Sequence, residues 1–112
     1  MSERQGQSMI AALRELAGTT PIEVQIRGEQ AAGLGALGAS MAAALDLLAA
    51  TADDDPERER RLWAATAKVW HYFIQREACG LRDHRQAIAF YRIPADVLSR
   101  LGARPPEGLE PV

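Results

Sequence analysis

The chain has 112 residues and a mass of 12.2 kDa, the size of one domain. Apolar residues make up 47%, charged residues 25% and the net charge is −2, an ordinary soluble balance that excludes collagen-like, mucin-like and wholly disordered proteins. No apolar run reaches the length of a membrane span, no apolar signal region follows Met1, and Cys79 is a lone cysteine, so a cytoplasmic protein without membrane attachment is expected.

Residues 1–7 lack apolar periodicity and are expected to be disordered. From Ser8, which can cap, Met9, Ile10, Leu13, Leu16 and Ala17 recur at helical spacing until Gly18. Thr20-Pro21-Ile22-Glu23 then joins a capping threonine, a proline at the first helical position and a glutamate able to reach back. Ile22, Val24 and Ile26 also alternate at strand period. No other segment offers a partner strand, however, so helix is predicted. Ile26, Gln30, Leu34, Leu37, Met41, Leu45 and Leu48 keep one face apolar to about Ala52. A continuous helix of that length would span about 50 Å. It must bend near Gly28 to Gly38 or belong to an elongated assembly.

Asp55 and Pro56 cap and open the next helix. Leu62, Trp63, Thr66, Val69, Trp70, Phe73 and Ile74 give it a broad apolar face. Gly80 is placed for a left-handed cap with Leu81 folding back. The two long helices, about 20–52 and 56–79, are expected to form an antiparallel hairpin. Asp83-His84-Arg85-Gln86 resembles a capping box and opens a short helix with Ala87, Ile88 and Tyr91 inward. Ile93-Pro94 breaks it, and a last helix carries Val97, Leu98 and Leu101 up to Gly102. Residues 103–112 are expected to be a disordered tail, which leaves 8–102 as one all-α domain.

Ala supplies 21 of the apolar residues, so the core is poor in buried surface per residue. A homodimer sharing a four-helix core is therefore expected, paired through Leu34, Leu37, Met41, Leu45, Leu48, Trp63, Trp70 and Phe73. Charge is uneven: residues 1–55 carry three cations and eight acids, while residues 56–104 carry ten cations and five acids. An acidic helix paired against a basic one accounts for this more simply than a phosphate-binding face does.

Several patterns resemble chemical motifs. Gly33-Leu34-Gly35-Ala36-Leu37-Gly38 matches G-x-G-x-x-G but lacks the flanking strands of a dinucleotide site, so a thin helix face approached by another backbone is expected. Cys79, near Arg76, Arg82 and His84, would centre a thiol enzyme, against the simpler reading of a small buried cap. Segment 84–101 resembles a helix-turn-helix in which Arg92, Ser99, Arg100 and Arg104 would meet phosphate, but Arg92 replaces the usual turn glycine and Asp96 would repel phosphate. His71, Glu77, Cys79, Asp83 and His84 lack metal-ligand spacing. No residue is assigned to catalysis, cofactor or metal binding.

The string Trp70 to Asp83 (WHYFIQREACGLRD), Tyr91-Arg92-Ile93-Pro94, Ser99-Arg100-Leu101-Gly102 and the upstream Glu29-Gln30-Ala31-Ala32 resemble a family of small bacterial proteins that is a domain of unknown function. The likeness runs from about Thr20 to Gly102. It implies a bacterial cytoplasmic protein and carries no activity, cofactor or catalytic residue. The reading is thus a non-catalytic interaction or regulatory module, with an unidentified protein partner and nucleic acid as the lesser alternative. Its candidate surface is the polar end formed by Gln75, Arg76, Glu77, Arg82, Asp83 and His84.

Overall fold

The computed structural model describes residues 21–110. The expected disordered stretch 1–7 and amphipathic segment 8–17 lie outside the described residues. Within them the order is α1 (Pro21–Ala31), α2 (Gly35–Ala49), α3 (Arg58–Ala78), α4 (Arg85–Tyr91) and α5 (Ala95–Leu98), with no strand. The chain is all-α, and the stretch with strand alternation, 21–27, is helix.

The single long helix expected over about 20–52 is two helices. Gly33 adopts φ 85°, the Gly33 amide donates to the Gln30 carbonyl at 3.1 Å, and the Leu34 amide donates to the Glu29 carbonyl at 2.7 Å. These two bonds form the Schellman arrangement, which a glycine in the left-handed region permits and which ends α1. Leu34, the residue that folds back, is buried. The break resets the helical register, so Gln30, expected on the apolar face, is exposed and Glu29 is buried instead.

The same device ends α3. Gly80 sits at φ 89°, with its amide on the Glu77 carbonyl at 3.0 Å and the Leu81 amide on the Arg76 carbonyl at 2.9 Å. It recurs after α4 with Arg92 in the glycine's place, at φ 54° and ψ 49°, and buried Ile93 folding back onto the Ile88 carbonyl. Arg92 is the one non-glycine residue with positive φ among the described residues.

Helices α2 and α3 run side by side in opposite directions. At one end Gly38 lies against the Tyr72 ring, and at the other Arg61 donates to the Thr51 hydroxyl at 2.8 Å. Met41, Leu45 and Leu48 of α2 pack on Leu62, Ala65, Val69, Tyr72 and Phe73 of α3, and Ile93 and Val97 close the cluster. On α3 the buried stripe runs through 62–63, 65–66, 69, 72–73 and 76. It keeps Leu62, Trp63, Thr66, Val69 and Phe73 of the expected face, while Trp70 and Ile74 at that face's edge are 43% and 42% exposed. Leu34, Met41, Leu45, Leu48, Trp63 and Phe73 are buried as expected of a core, and Leu37 is partly so.

The segment after Gly102, expected as a disordered tail, is placed against α3. Ala103 and Pro105 line a cavity with Trp63 and Trp70, and Arg60 donates to the Gly108 carbonyl at 3.3 Å. Among the described residues no helix is long and apolar enough to cross a membrane.

Candidate functional site

The stripe of α3 reaches position 76 with an arginine where an apolar residue is due. The stripe of α1, through Ile22, Gln25 and Ile26, reaches position 29 with a glutamate. Both are interior: Arg76 is 0% exposed and Glu29 2%. Arg76 Nη1 forms an ion pair with Glu29 Oε1, and the Tyr72 hydroxyl donates to Glu29 Oε2. One carboxylate thus accepts from two neighbouring turns of α3, and an unpaired buried charge is avoided.

The rest of the guanidinium is also engaged. Arg76 Nε donates to His84 Nδ1 at 3.0 Å, and its Nη2 donates to the Asp83 carbonyl at 3.1 Å. Since Nδ1 accepts, the neutral imidazole carries its proton on Nε2, which lies 3.1 Å from Glu77 Oε1 and donates to it. The His84 ring stacks on Phe73 at 4.1 Å with the planes 2° apart. Tyr91 packs edge-on to Tyr72 at 5.7 Å, and both rings crowd Gly38, where an added Cβ would come 3.2 Å from the Tyr91 hydroxyl and 3.3 Å from Tyr72 Cε2. The third glycine of the G-x-G-x-x-G string therefore makes room for two aromatic rings, not for another backbone.

The electrostatics follow from burial. Burial, and after it the Tyr91 hydroxyl, pushes the Tyr72 phenol well above its ordinary range. Burial also works against the charge of Arg76, while Tyr91 and Asp83 work for it. A guanidinium touching a carboxylate stays protonated all the same. Outside this cluster Asp83 is held down to about 2, chiefly by the hydrogen bonds it accepts from the Arg85 side chain and then by the Arg85 amide. That amide bond, at 3.1 Å, closes a turn two residues long just before α4.

Of the six residues expected to form a polar surface, Arg76, Glu77, Asp83 and His84 come together around the buried Arg76, with Glu77 and Asp83 exposed. Gln75 lies instead beside Leu37, Trp70, His71 and Ile74, and Arg82 is exposed. Glu29, Tyr72 and Tyr91 were not among the expected site residues. Their signal is the interruption of two apolar stripes by residues of opposite charge. Cys79, expected as a small buried cap, is exposed at the C-terminus of α3.

Three cavities are formed by other residues. One of about 230 Å³ is walled by Trp63, Thr66, Ala67, Trp70, Gly102 and the following segment. A second, of about 240 Å³, lies across Trp70, beside Leu37 and Ile74. A third, of about 340 Å³, lies between α1 and α4. None is lined by Glu29, Tyr72, Arg76, His84 or Tyr91. Among the described residues no three His, Cys, Asp or Glu side chains are grouped to hold a metal.

The acidic and basic halves are joined in the interior by the Glu29–Arg76 pair. Other pairs, such as Arg58–Asp96 at 3.4 Å and Arg85–Asp83 at 2.8 Å, lie at the surface of the basic half. The second helix of the supposed helix-turn-helix has four residues, and two charges on and beside it have partners within the chain. Asp96 pairs with Arg58, and Arg100 lies 5.6 Å above the Trp63 ring.

The model of a family of unknown function, DUF6665, matches residues 1–108, a longer stretch than the expected 20–102. No curated protein and no solved structure matches the chain.

Proposed function

Because the chain belongs to DUF6665, a family of unknown function, its role has to be read from its own residues, and we propose that it is a non-catalytic helical module that works through protein contacts as a homodimer. One observation carries this reading. The densest set of chemically capable groups, Glu29, Tyr72, Arg76 and His84, is spent on internal partners and borders none of the three cavities. Groups occupied in this way bind helices together, here α1 to α3 and α3 to the start of α4.

The outer face of α3, with Trp70 and Ile74 exposed, offers a surface for contact. Trp70 stands between a cavity walled by the small residues Ala67, Gly102 and Ala103 and another beside Leu37 and Ile74. A half-exposed indole beside a hollow on the same face gives a surface on which a second copy could pack about a two-fold axis. Aromatic anchors seated in pockets dominate such interfaces. Sedimentation or light scattering at tens of micromolar should find a dimer insensitive to salt, and Trp70→Glu should yield a monomer with unchanged helical content. A monomeric wild type, or a Trp70→Glu variant that stays dimeric, would sink the proposal.

A further inference from the structure

The segment after Gly102 runs along α3 against the helix direction. Gly102 turns at φ 80°, where an added Cβ would come 3.4 Å from Trp70 Cζ3. Ala103 and Pro105 then wall the hollow of about 230 Å³ together with Trp63 and Trp70, and the Gly108 carbonyl accepts from Arg60 at 3.3 Å. From Trp70 back to Arg60 is about 15 Å of helix axis. The segment crosses it in six residues, close to the roughly 19 Å that six residues reach in polyproline II. Arg104 and Pro105 each precede a proline, which disfavours helix and keeps the stretch extended.

This strap is held lightly. Of residues 103–110 only Pro105 and Leu109 are half-buried, and the other six are exposed. Among the described residues its one side-chain hydrogen bond to α3 is the exposed one from Arg60. The surface beneath is firmer. Trp63 is buried, its indole N–H donates to Glu59 Oε1 at 3.2 Å, and the same carboxylate lies 3.9 Å from Arg100. The face therefore offers indole surface and an arginine donor for a carbonyl, with the neighbouring carboxylate already engaged. Proline suits those terms. It brings a ring to lie against an indole and a carbonyl that accepts, and it has no N–H to satisfy. Its preset extended shape also costs little entropy to bind, which is how aromatic grooves read such segments.

We propose that the Trp63–Trp70 face of α3 is a recognition surface for proline-containing extended peptides, and that segment 103–110 is its resident, displaceable ligand. A segment of the same chemistry from another chain takes the face by releasing the strap. Tethering gives the strap a high effective concentration, so the face stays covered until such a segment is abundant. The proposal shares Trp70 with the dimer reading without resting on it, because peptide bound per chain is measured whether or not the chain pairs.

The test titrates the full chain with the synthetic peptide ARPPEGLE, followed by NMR of the two indole N–H groups and the Leu109 methyls. The wild type is compared with Pro105→Gly/Pro106→Gly, which loosens the strap outside every helix. The peptide should shift both indole signals saturably, at a concentration at least about tenfold lower in the variant than in the wild type. In the wild type at saturation, the Leu109 methyls should move to their positions in the free peptide. The control peptide ARAAEGLE should bind far more weakly. Three results would each overturn the proposal: no indole shift in either protein, equal affinity for the two peptides, or Leu109 signals that stay in place while the indoles shift. The wild-type titration decides the matter even if the variant fails to fold.

Discussion

Replacing Glu29 with leucine strands the Arg76 guanidinium in a place where it has no exposure. Breaking a buried pair from one side costs about 3–5 kcal/mol, because the remaining charge keeps its desolvation penalty and loses its attraction. Glu29→Leu also takes the acceptor from the Tyr72 hydroxyl. Arg76→Met should cost a comparable amount, since it leaves the carboxylate buried and removes the donors to His84 Nδ1 and the Asp83 carbonyl. Domains of this size have total stabilities of about 5–15 kcal/mol, so either variant sits near the edge of unfolding. The double variant removes both charges together. What it loses is about 1–2 kcal/mol for the Tyr72, His84 and Asp83 bonds, at about 1 kcal/mol each less the gain in apolar packing. Urea unfolding at 15 °C, followed by circular dichroism, measures all four corners of the cycle. The expected coupling is at least about 3 kcal/mol, with the double variant more stable than either single one. If each single change costs under about 1 kcal/mol and the two simply add, water reaches the pair and the reading of a buried, mutually dependent pair fails.

Two glycines should respond to alanine with opposite signs, checked by the same unfolding measurement. Gly28→Ala meets nothing within 4 Å in the interior of α1 and should gain about 0.5–1 kcal/mol of helix propensity. Gly38→Ala gains the same propensity but drives a methyl into the Tyr91 hydroxyl and the Tyr72 ring, and overpacking costs of about 1–3 kcal/mol should make it a net loss. At alkaline pH the raised Tyr72 phenol means that stability is fully present below the ordinary tyrosine range near pH 10 and falls as pH rises above it; Tyr72→Phe should flatten that decline in a pH series of melting temperatures. At acid pH the depressed Asp83 carboxyl works the other way. The Asp83–Arg85 turn bond before α4 should be intact above about pH 4 and lost as pH falls toward 2, seen as a falling protection factor at the Arg85 amide and abolished as a pH effect in Asp83→Asn.

Much of the helical layout could be read from punctuation. Pro21 starts α1, Asp55 accepts from the Glu57 amide just before α3, Gly80 ends α3, and Asp83 accepts from the Arg85 amide at the start of α4. Each is a local device, decided by backbone geometry within a few residues, and so legible without the fold. The interior was harder, because it depends on phase. A single left-handed Gly33 shifts the register, moves burial from Gln30 to Glu29 and so places a carboxylate where the pattern asked for an apolar side chain. On α3 the expected and observed faces share Leu62, Trp63, Thr66, Val69 and Phe73 and differ at the edge, where Tyr72 and Arg76 are buried while Trp70 and Ile74 are exposed. A charged residue reads as surface until its counterpart is known, and Glu29 and Arg76 are 47 positions apart. Neither stripe alone betrays the pair; the sign of each is explained only by the other. That mutual dependence also indicates what the pair does for the fold. Apolar residues at 29 and 76 would accept many packings of α1 on α3, whereas a carboxylate that must meet one guanidinium and one phenol accepts a single register, which fixes where α1 leaves its apolar groove beside α4.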